Sequence, residues 1–144
     1  LPHALVTTPN LREAAVLTST DVRDIRSVAD MIALAHAVLE FGSEYVVLKG
    51  GHFDESSDRA TEAPDLLVSR HGDVVLPAER VITNNDHGTG CSLAAAITAY
   101  LGRGHDLETA VREAKAFVWR ALRGGASWRL GAGHGPIDHM GWNE

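Results

Sequence analysis

Three observations predict an α/β fold built on a largely parallel sheet. Short apolar, β-branched runs alternate along the chain with segments whose apolar residues recur at helical spacing. One run, Tyr45-Val46-Val47-Leu48, is apolar throughout, which is the pattern of a strand buried on both faces. Several strand ends lead into glycine-rich or polar turns and then helix starts, the places where open α/β sheets hold ligands.

The elements follow in order. Ala4 to Thr8 reads as a strand closed by the turn Pro9-Asn10. Leu11 to Leu17 predicts a short helix, with Glu13 in the first turn where a carboxylate suits the helix dipole. Ser19-Thr20-Asp21 offers N-cap side chains for a longer helix over Val22 to Phe41, with Ile25, Val28, Ala29, Ile32, Ala35 and Leu39 on one face and Gly42 as its stop. The buried strand Tyr45 to Leu48 ends at Lys49-Gly50-Gly51. His52 to Pro64 carries acids and serines without core-like periodicity and is expected to be an exposed loop, a candidate lid on composition. Leu66-Leu67-Val68 and Val74-Val75-Leu76, around Arg70-His71-Gly72-Asp73, predict a β-hairpin, and Glu79 to Thr83 a further strand. Cys91 to Leu101 is small and apolar, a tightly packed helix stopped by Gly102 and Gly104. Asp106 to Leu122 is a second helix, acidic at its start and arginine-rich at its end. A glycine-rich tail begins at Gly124.

Composition narrows the function classes. The 144 residues suffice for one domain with a real core but not for two independent ones. No apolar run approaches the roughly 18 residues of a membrane span, and a formal charge of −6 argues against a nucleic-acid or anionic-membrane surface. The single cysteine, Cys91, excludes an internal disulfide and a thiolate zinc site. No signal segment opens the chain, so the expectation is a cytoplasmic protein. Two of the thirteen basic residues are lysines, Lys49 and Lys115, which makes the position of each informative.

Three segments have the form of ligand loops: Thr8-Pro9-Asn10-Leu11-Arg12-Glu13, Lys49-Gly50-Gly51-His52 and Asn85-Asp86-His87-Gly88-Thr89-Gly90-Cys91. In the third, glycines 88 and 90 let the backbone turn its amides inward, and the following helix adds its unpaired N–H groups. Such a loop suits an oxyanion or a phosphate. It is not a Walker loop, and Gly131-Ala132-Gly133-His134-Gly135 lacks the dinucleotide spacing. Cys91, where the helix begins, is expected to have a thiol titrating below that of a free cysteine; the plain alternative is a small buried residue. The eight histidines show no convincing metal-ligand spacing; His52 and His87 sit in the loops, and His134 and His139 in the tail.

Thr8-Pro9-Asn10-x-x-Glu13-Ala14, Val47-Leu48-Lys49-Gly50-Gly51-His52 and Asn85-x-His87-Gly88-Thr89-Gly90-Cys91-Ser92-Leu93, in that order and spacing, closely resemble the hydroxymethylpyrimidine/phosphomethylpyrimidine kinases of thiamine biosynthesis, members of the ribokinase-like superfamily. Gly133-His134-Gly135-Pro136-Ile137-Asp138-His139 looks like the same family's tail. The resemblance runs over essentially the whole chain. It implies a ribokinase-like three-layer α/β/α sandwich, of which residues 1–144 would be the C-terminal, nucleotide-side part. Family members carry a long N-terminal half with the first strands and most of the pyrimidine pocket, which would explain a chain that opens on Leu1-Pro2-His3 and enters a strand at once.

The resemblance also implies roles. Gly88, Thr89, Gly90 and Cys91 would form the anion hole, and Cys91, standing where most of the superfamily has an aspartate, would accept the substrate's proton. Asn10 and Glu13 match an Asn-x-x-Glu signature that organises Mg2+ largely through water; without the resemblance they read as a turn asparagine and a first-turn glutamate. Lys49, Gly51 and Thr83 would face ATP, although Lys49 alone also fits a strand-end lysine reaching for water. His87 is expected to support the loop. Asp86 departs from the family, where threonine is more usual, and a carboxylate beside an anion site is unhelpful unless it meets magnesium or a cap.

The implied reaction is ATP-dependent phosphorylation of hydroxymethylpyrimidine and its monophosphate. The rivals are a pyridoxal kinase-like enzyme and a catalytically incomplete fragment that binds nucleotide or a partner. The expected partners are a small pyrimidine substrate and either a second copy or a complementing N-terminal half, because a sheet lacking its first strands leaves an edge open to pairing.

Overall fold

The computed structural model describes residues 1–51, 64–77 and 79–143. The chain divides into two compact units, Leu1–Arg80 and Val81–Glu144.

The first unit carries the sheet. Strand β1 (Val6–Thr7) leads into helix α1 (Leu11–Thr18); after a 3₁₀ turn at Val22–Asp24 come α2 (Val28–Leu39), β2 (Tyr45–Leu48), β3 (Asp65–Ser69) and β4 (Gly72–Leu76). Strand order is β1-β2-β3-β4. β1 and β2 are parallel, with Val6 opposite Tyr45. β2 and β3 are antiparallel, with Val46 opposite Val68 and Leu48 opposite Leu66. β3 and β4 form the predicted hairpin, with Ser69 opposite Gly72. The α/β class stands, while the expectation of a largely parallel sheet is corrected to a mixed one. The two-residue connection Arg70-His71 compels an antiparallel return, and Ser69 secures it, its hydroxyl donating to Gly72 O at 3.1 Å and accepting from His71 N at 3.1 Å.

Strand period explains the core. Val46, Leu48, Leu66 and Val68 share one face and pack with Leu11 and Ala14 of α1 and Met31, Leu34, Ala35, Val38 and Leu39 of α2. Val47 and Leu67, on the opposite face, are buried as well, as the all-apolar run anticipates. The long helix expected from Val22 to Phe41 is in fact two pieces. Asp21 caps the 3₁₀ turn, Ile25 takes an extended conformation, and Ser27 starts α2 by accepting from Asp30 N. The Asp30 carboxylate in turn accepts from Ser27 Oγ at 2.7 Å and Arg26 N at 2.9 Å, so local side-chain bonds outcompete a continuous helix. The candidate lid over His52 to Pro64 lies, apart from Pro64, outside the described residues.

The second unit is helical. α3 (Thr89–Gly102) packs against α4 (Leu107–Gly125), which Asp106 caps by accepting from Thr109 N. The strand expected at Glu79 to Thr83 is not among the described strands, and residues 80–83 are irregular. Thr83 accepts from Asn85 N at 3.0 Å and donates to Ala126 O at 3.4 Å, tying this stretch to the end of α4 rather than to a ladder.

Candidate active site

In the first unit the end of β1 and the end of β2 meet. Asn10 and Lys49 form a parallel bridge, and Lys49 N donates to Pro9 O at 2.9 Å. Asn10 is the N-cap of α1: its Oδ1 accepts from Glu13 N at 2.8 Å while Glu13 Oε2 accepts from Asn10 N at 2.7 Å. This reciprocal capping box fixes Glu13, and Lys49 Nζ lies 4.0 Å from the same Oε2. The structure therefore brings Asn10, Glu13 and Lys49 together. The Asn10–Glu13 pair serves the structural purpose that a turn asparagine and a first-turn glutamate would serve anywhere. Its exposed carboxylate is also the kind of hard oxygen donor that suits a cation keeping most of its waters. No cluster of three or more His, Cys, Asp or Glu exists among the described residues, so a closed protein cage for a metal is not part of this arrangement.

Gly50 and Gly51 do different work. A Cβ on Gly50 would collide with Pro64 O and come within 3.0 Å of Met31 Cε, so glycine is required there by close packing. Gly50 N donates to Asp65 Oδ1 at 2.8 Å, which holds the turn. Gly51 has open space on its bare face.

In the second unit Gly88 takes a left-handed conformation (φ +95°) and caps α3 without a side-chain bond. Ser92 N makes the first helical bond, to Gly88 O at 2.9 Å, and Thr89 N is turned to Asp86 O at 3.2 Å. The amides of Gly90 and Cys91 lie in the first turn, where a helix supplies no i−4 partner. Cys91 is exposed there, which removes the alternative of a buried packing residue.

The loop is stitched to the chain's own tail. Gly135 N donates to Asn84 O and His87 N to Gly135 O, both at 3.1 Å, and His87 pairs with Pro136 as an isolated bridge. His87 thus supports the loop, through its backbone. Asn85 is buried, its amide nitrogen donating to Gly125 O at 2.7 Å and Trp128 O at 2.9 Å. A Cβ on Gly135 would collide with the Asn85 side chain. Asp86 meets His134, whose Nδ1 lies 2.8 Å from Asp86 Oδ1, so the unexpected carboxylate has a partner. His139 Nε2 lies 2.8 Å from Ser92 Oγ. Sequence reasoning gave no role to Asn85, Ser92 or Asp65. Asn85 opens the third ligand loop and Ser92 follows it, but the partners of their side chains lie forty or more residues away and leave no local signal.

Comparison with known proteins adds a separate line. A family model described as phosphomethylpyrimidine kinase matches residues 1–138. Over 140 residues the chain is 42% identical to the hydroxymethylpyrimidine/phosphomethylpyrimidine kinase of Rhizobium meliloti, covering 97% of this chain and 50% of that protein. The chain spans about half the length of the curated kinases of this kind that it matches. Among solved structures, the pyridoxal kinase of Staphylococcus aureus in complex with AMP-PCP superposes with a TM-score of 0.86 at 35% identity, covering 99% of this chain and 50% of that one. The phosphomethylpyrimidine kinase of Clostridium difficile gives 0.63 at 31%, covering 84% and 44%. These relatives share the ribokinase-like α/β fold.

Proposed function

Because the chain belongs to the phosphomethylpyrimidine kinase family, we propose that it supplies the nucleotide side of an enzyme that phosphorylates 4-amino-5-hydroxymethyl-2-methylpyrimidine and its monophosphate with ATP and Mg2+ in thiamine biosynthesis. The observation that carries this reading is the left-handed glycine turn opening α3 without a side-chain cap, with Cys91 exposed in the first turn.

Phosphoryl transfer asks the protein to position the reactants and neutralise charge. The substrate's hydroxyl oxygen attacks the γ-phosphorus while the bond to the β,γ-bridging oxygen breaks and ADP leaves; the hydroxyl proton passes to Sγ of Cys91 acting as the thiolate, which becomes the thiol. Gly88, Thr89, Gly90 and Cys91 form the anion hole, the Gly90 and Cys91 amides facing the charge that develops on the phosphoryl oxygens. Lys49 places a point charge near the phosphates, and Gly51 and Thr83 complete the nucleotide-facing set. Asn10 and Glu13 would hold a hydrated Mg2+, which would draw charge from the phosphate oxygens when bound.

A pyridoxal kinase-like substrate preference is the second reading, favoured by the higher TM-score to the Staphylococcus aureus enzyme. No helix among the described residues is long and apolar enough to cross a membrane, and we place the enzyme in the cytoplasm. β1, two residues long, forms one edge of the described sheet, which suits a second copy or a complementing N-terminal half.

The test is ATP-dependent phosphorylation of hydroxymethylpyrimidine and of pyridoxal, by the chain alone and with a complementing N-terminal half. The expected result is turnover of the pyrimidine in the complemented enzyme and nucleotide binding without turnover by the chain alone. Pyridoxal as the preferred acceptor would move the assignment to the second reading.

A further inference from the structure

We propose that His139 is a positioning residue for the Gly88–Cys91 loop, acting through Ser92. The proposal rests on the phosphoryl-transfer reading above and assigns a task to the tail, which that reading leaves without one.

The imidazole of His139 touches both ends of the loop. Its Nε2 lies 2.8 Å from Ser92 Oγ. Its Cε1 and Nε2 lie 3.6 and 3.7 Å from where a Cβ on Gly88 would stand, so the ring covers the bare face of the left-handed residue. Gly88 and Ser92 are themselves joined by the first hydrogen bond of α3. Between them lie Thr89, whose amide is turned to Asp86 O, and Gly90 and Cys91, whose amides and thiol the proposed chemistry uses.

The ring is held from behind. Ile137 is buried, and His139 N donates to Ile137 O at 3.1 Å. Asp138 N donates to Ala121 O of α4 at 2.8 Å, and the Asp138 carboxylate accepts from Met140 N at 3.2 Å and Asn143 N at 3.0 Å. Gly124 and Gly125 make room for this passage, since a Cβ on either would come within 3.0 Å of Asp138 or Pro136. The tail is thus anchored on α4 and braces the start of α3. Helices α1, α2 and α4 start with a side-chain cap, from Asn10, Ser27 and Asp106. α3 starts without one, and a ring set to its side can order the first turn while leaving its amides open to an anion.

The test uses the chain as described, with two readouts. The first is equilibrium binding of AMP-PCP with Mg2+. The second is the alkylation rate of Cys91, the only thiol in the chain, by iodoacetamide at fixed pH. His139→Ala is expected to weaken AMP-PCP binding about 3- to 10-fold, the worth of one ordered hydrogen bond. It is also expected to slow Cys91 alkylation by a similar factor, because a frayed first turn no longer presents its amides to the sulfur. Circular dichroism should show helix content lowered by no more than the first turn of α3. Ser92→Ala should reproduce both effects, the double variant should add nothing further, and His139→Gln, whose amide nitrogen replaces Nε2, should restore both. Wild-type binding and alkylation in His139→Ala would overturn the proposal, as would full additivity with Ser92→Ala. Failure of the unsubstituted chain to bind AMP-PCP would bring down the nucleotide reading, and the alkylation series would then judge the positioning role alone.

Discussion

At the scale of single residues, Cys91 carries the sharpest expectation. In the complemented enzyme Cys91→Ala is expected to lower kcat by about 10²–10⁴-fold, the usual worth of a positioned general base, with AMP-PCP binding retained. Full turnover by that variant would remove the base assignment. Gly88 tests the loop differently. A Cβ there has ordinary room, the nearest atom being His139 Cε1 at 3.6 Å, so the obstacle to Gly88→Ala is its φ of +95°. The expected cost is about 1–2 kcal/mol for a left-handed L-residue, read as a lower urea midpoint together with weakened nucleotide binding; an unchanged midpoint would mean that the turn relaxes freely. How far this site was legible follows from distance along the chain. Asn10 and Glu13, or Gly88 to Cys91, announce themselves within a few residues. The partner of Asp86, His134, stands 48 residues away, and that of Ser92, His139, stands 47 away. Pairings of that span depend on where the tail returns, which composition and periodicity do not encode.

At the scale of elements, the fold was legible wherever local rules act alone. Tyr45–Leu48 and the hairpin were predicted from apolar runs and a polar turn, and α4 from its dipole-matched ends. The break within Val22 to Phe41 was missed because the apolar period continues through Ile25 and Val28, while the interruption comes from Ser27 and Asp30 bonding each other and the backbone. Ser27→Ala is therefore expected to cost about 1 kcal/mol through loss of the α2 cap, seen in chemical denaturation; a neutral effect would show that packing of Met31 and Leu34 alone fixes the helix start. The sheet's direction departs from the expectation at β2–β3: alternating strands and helices suggest parallel pairing, but β3, already turned back into the predicted hairpin with β4, pairs antiparallel with β2. Asn85 joins the loop before α3 to the end of α4. Replacing it with alanine removes its bonds to Gly125 O, which keeps the bond from Trp128 N, and to Trp128 O. About 1–3 kcal/mol of destabilisation is expected, and a thermal melt superimposing on that of the parent chain would show that the loop needs no such tie.

At the scale of the whole molecule, both units share an acid sensitivity whose sign can be worked out. Asp21 is held down to about 2 by the Arg23 guanidinium and then by the Arg23 amide. Asp30 is lowered by the Ser27 hydroxyl and the Arg26 amide, and Asp106 by the Thr109 amide and hydroxyl. Burial pulls the Asp138 carboxyl up, but the amides of Trp142, Asn143, Met140 and Gly141 together outweigh it and leave the group below its usual range. A carboxylate lowered on folding contributes stability that is fully present above its unfolded value of about 4. That contribution is lost as pH falls through the folded value. The protein is therefore expected to hold its melting temperature from neutral pH to about 5 and to lose it progressively between about pH 4 and 2, in both units. Asp106→Asn and Asp138→Asn should each flatten that acid limb while lowering the neutral-pH plateau. Asp138→Asn should also loosen the turn that the carboxylate holds on the Met140 and Asn143 amides, next to His139, so its cost at pH 7 should come with weaker AMP-PCP binding, whereas Asp106→Asn, at the far end of α4, should leave binding unchanged. Acid limbs parallel to that of the parent chain in both variants would locate the sensitivity in other groups.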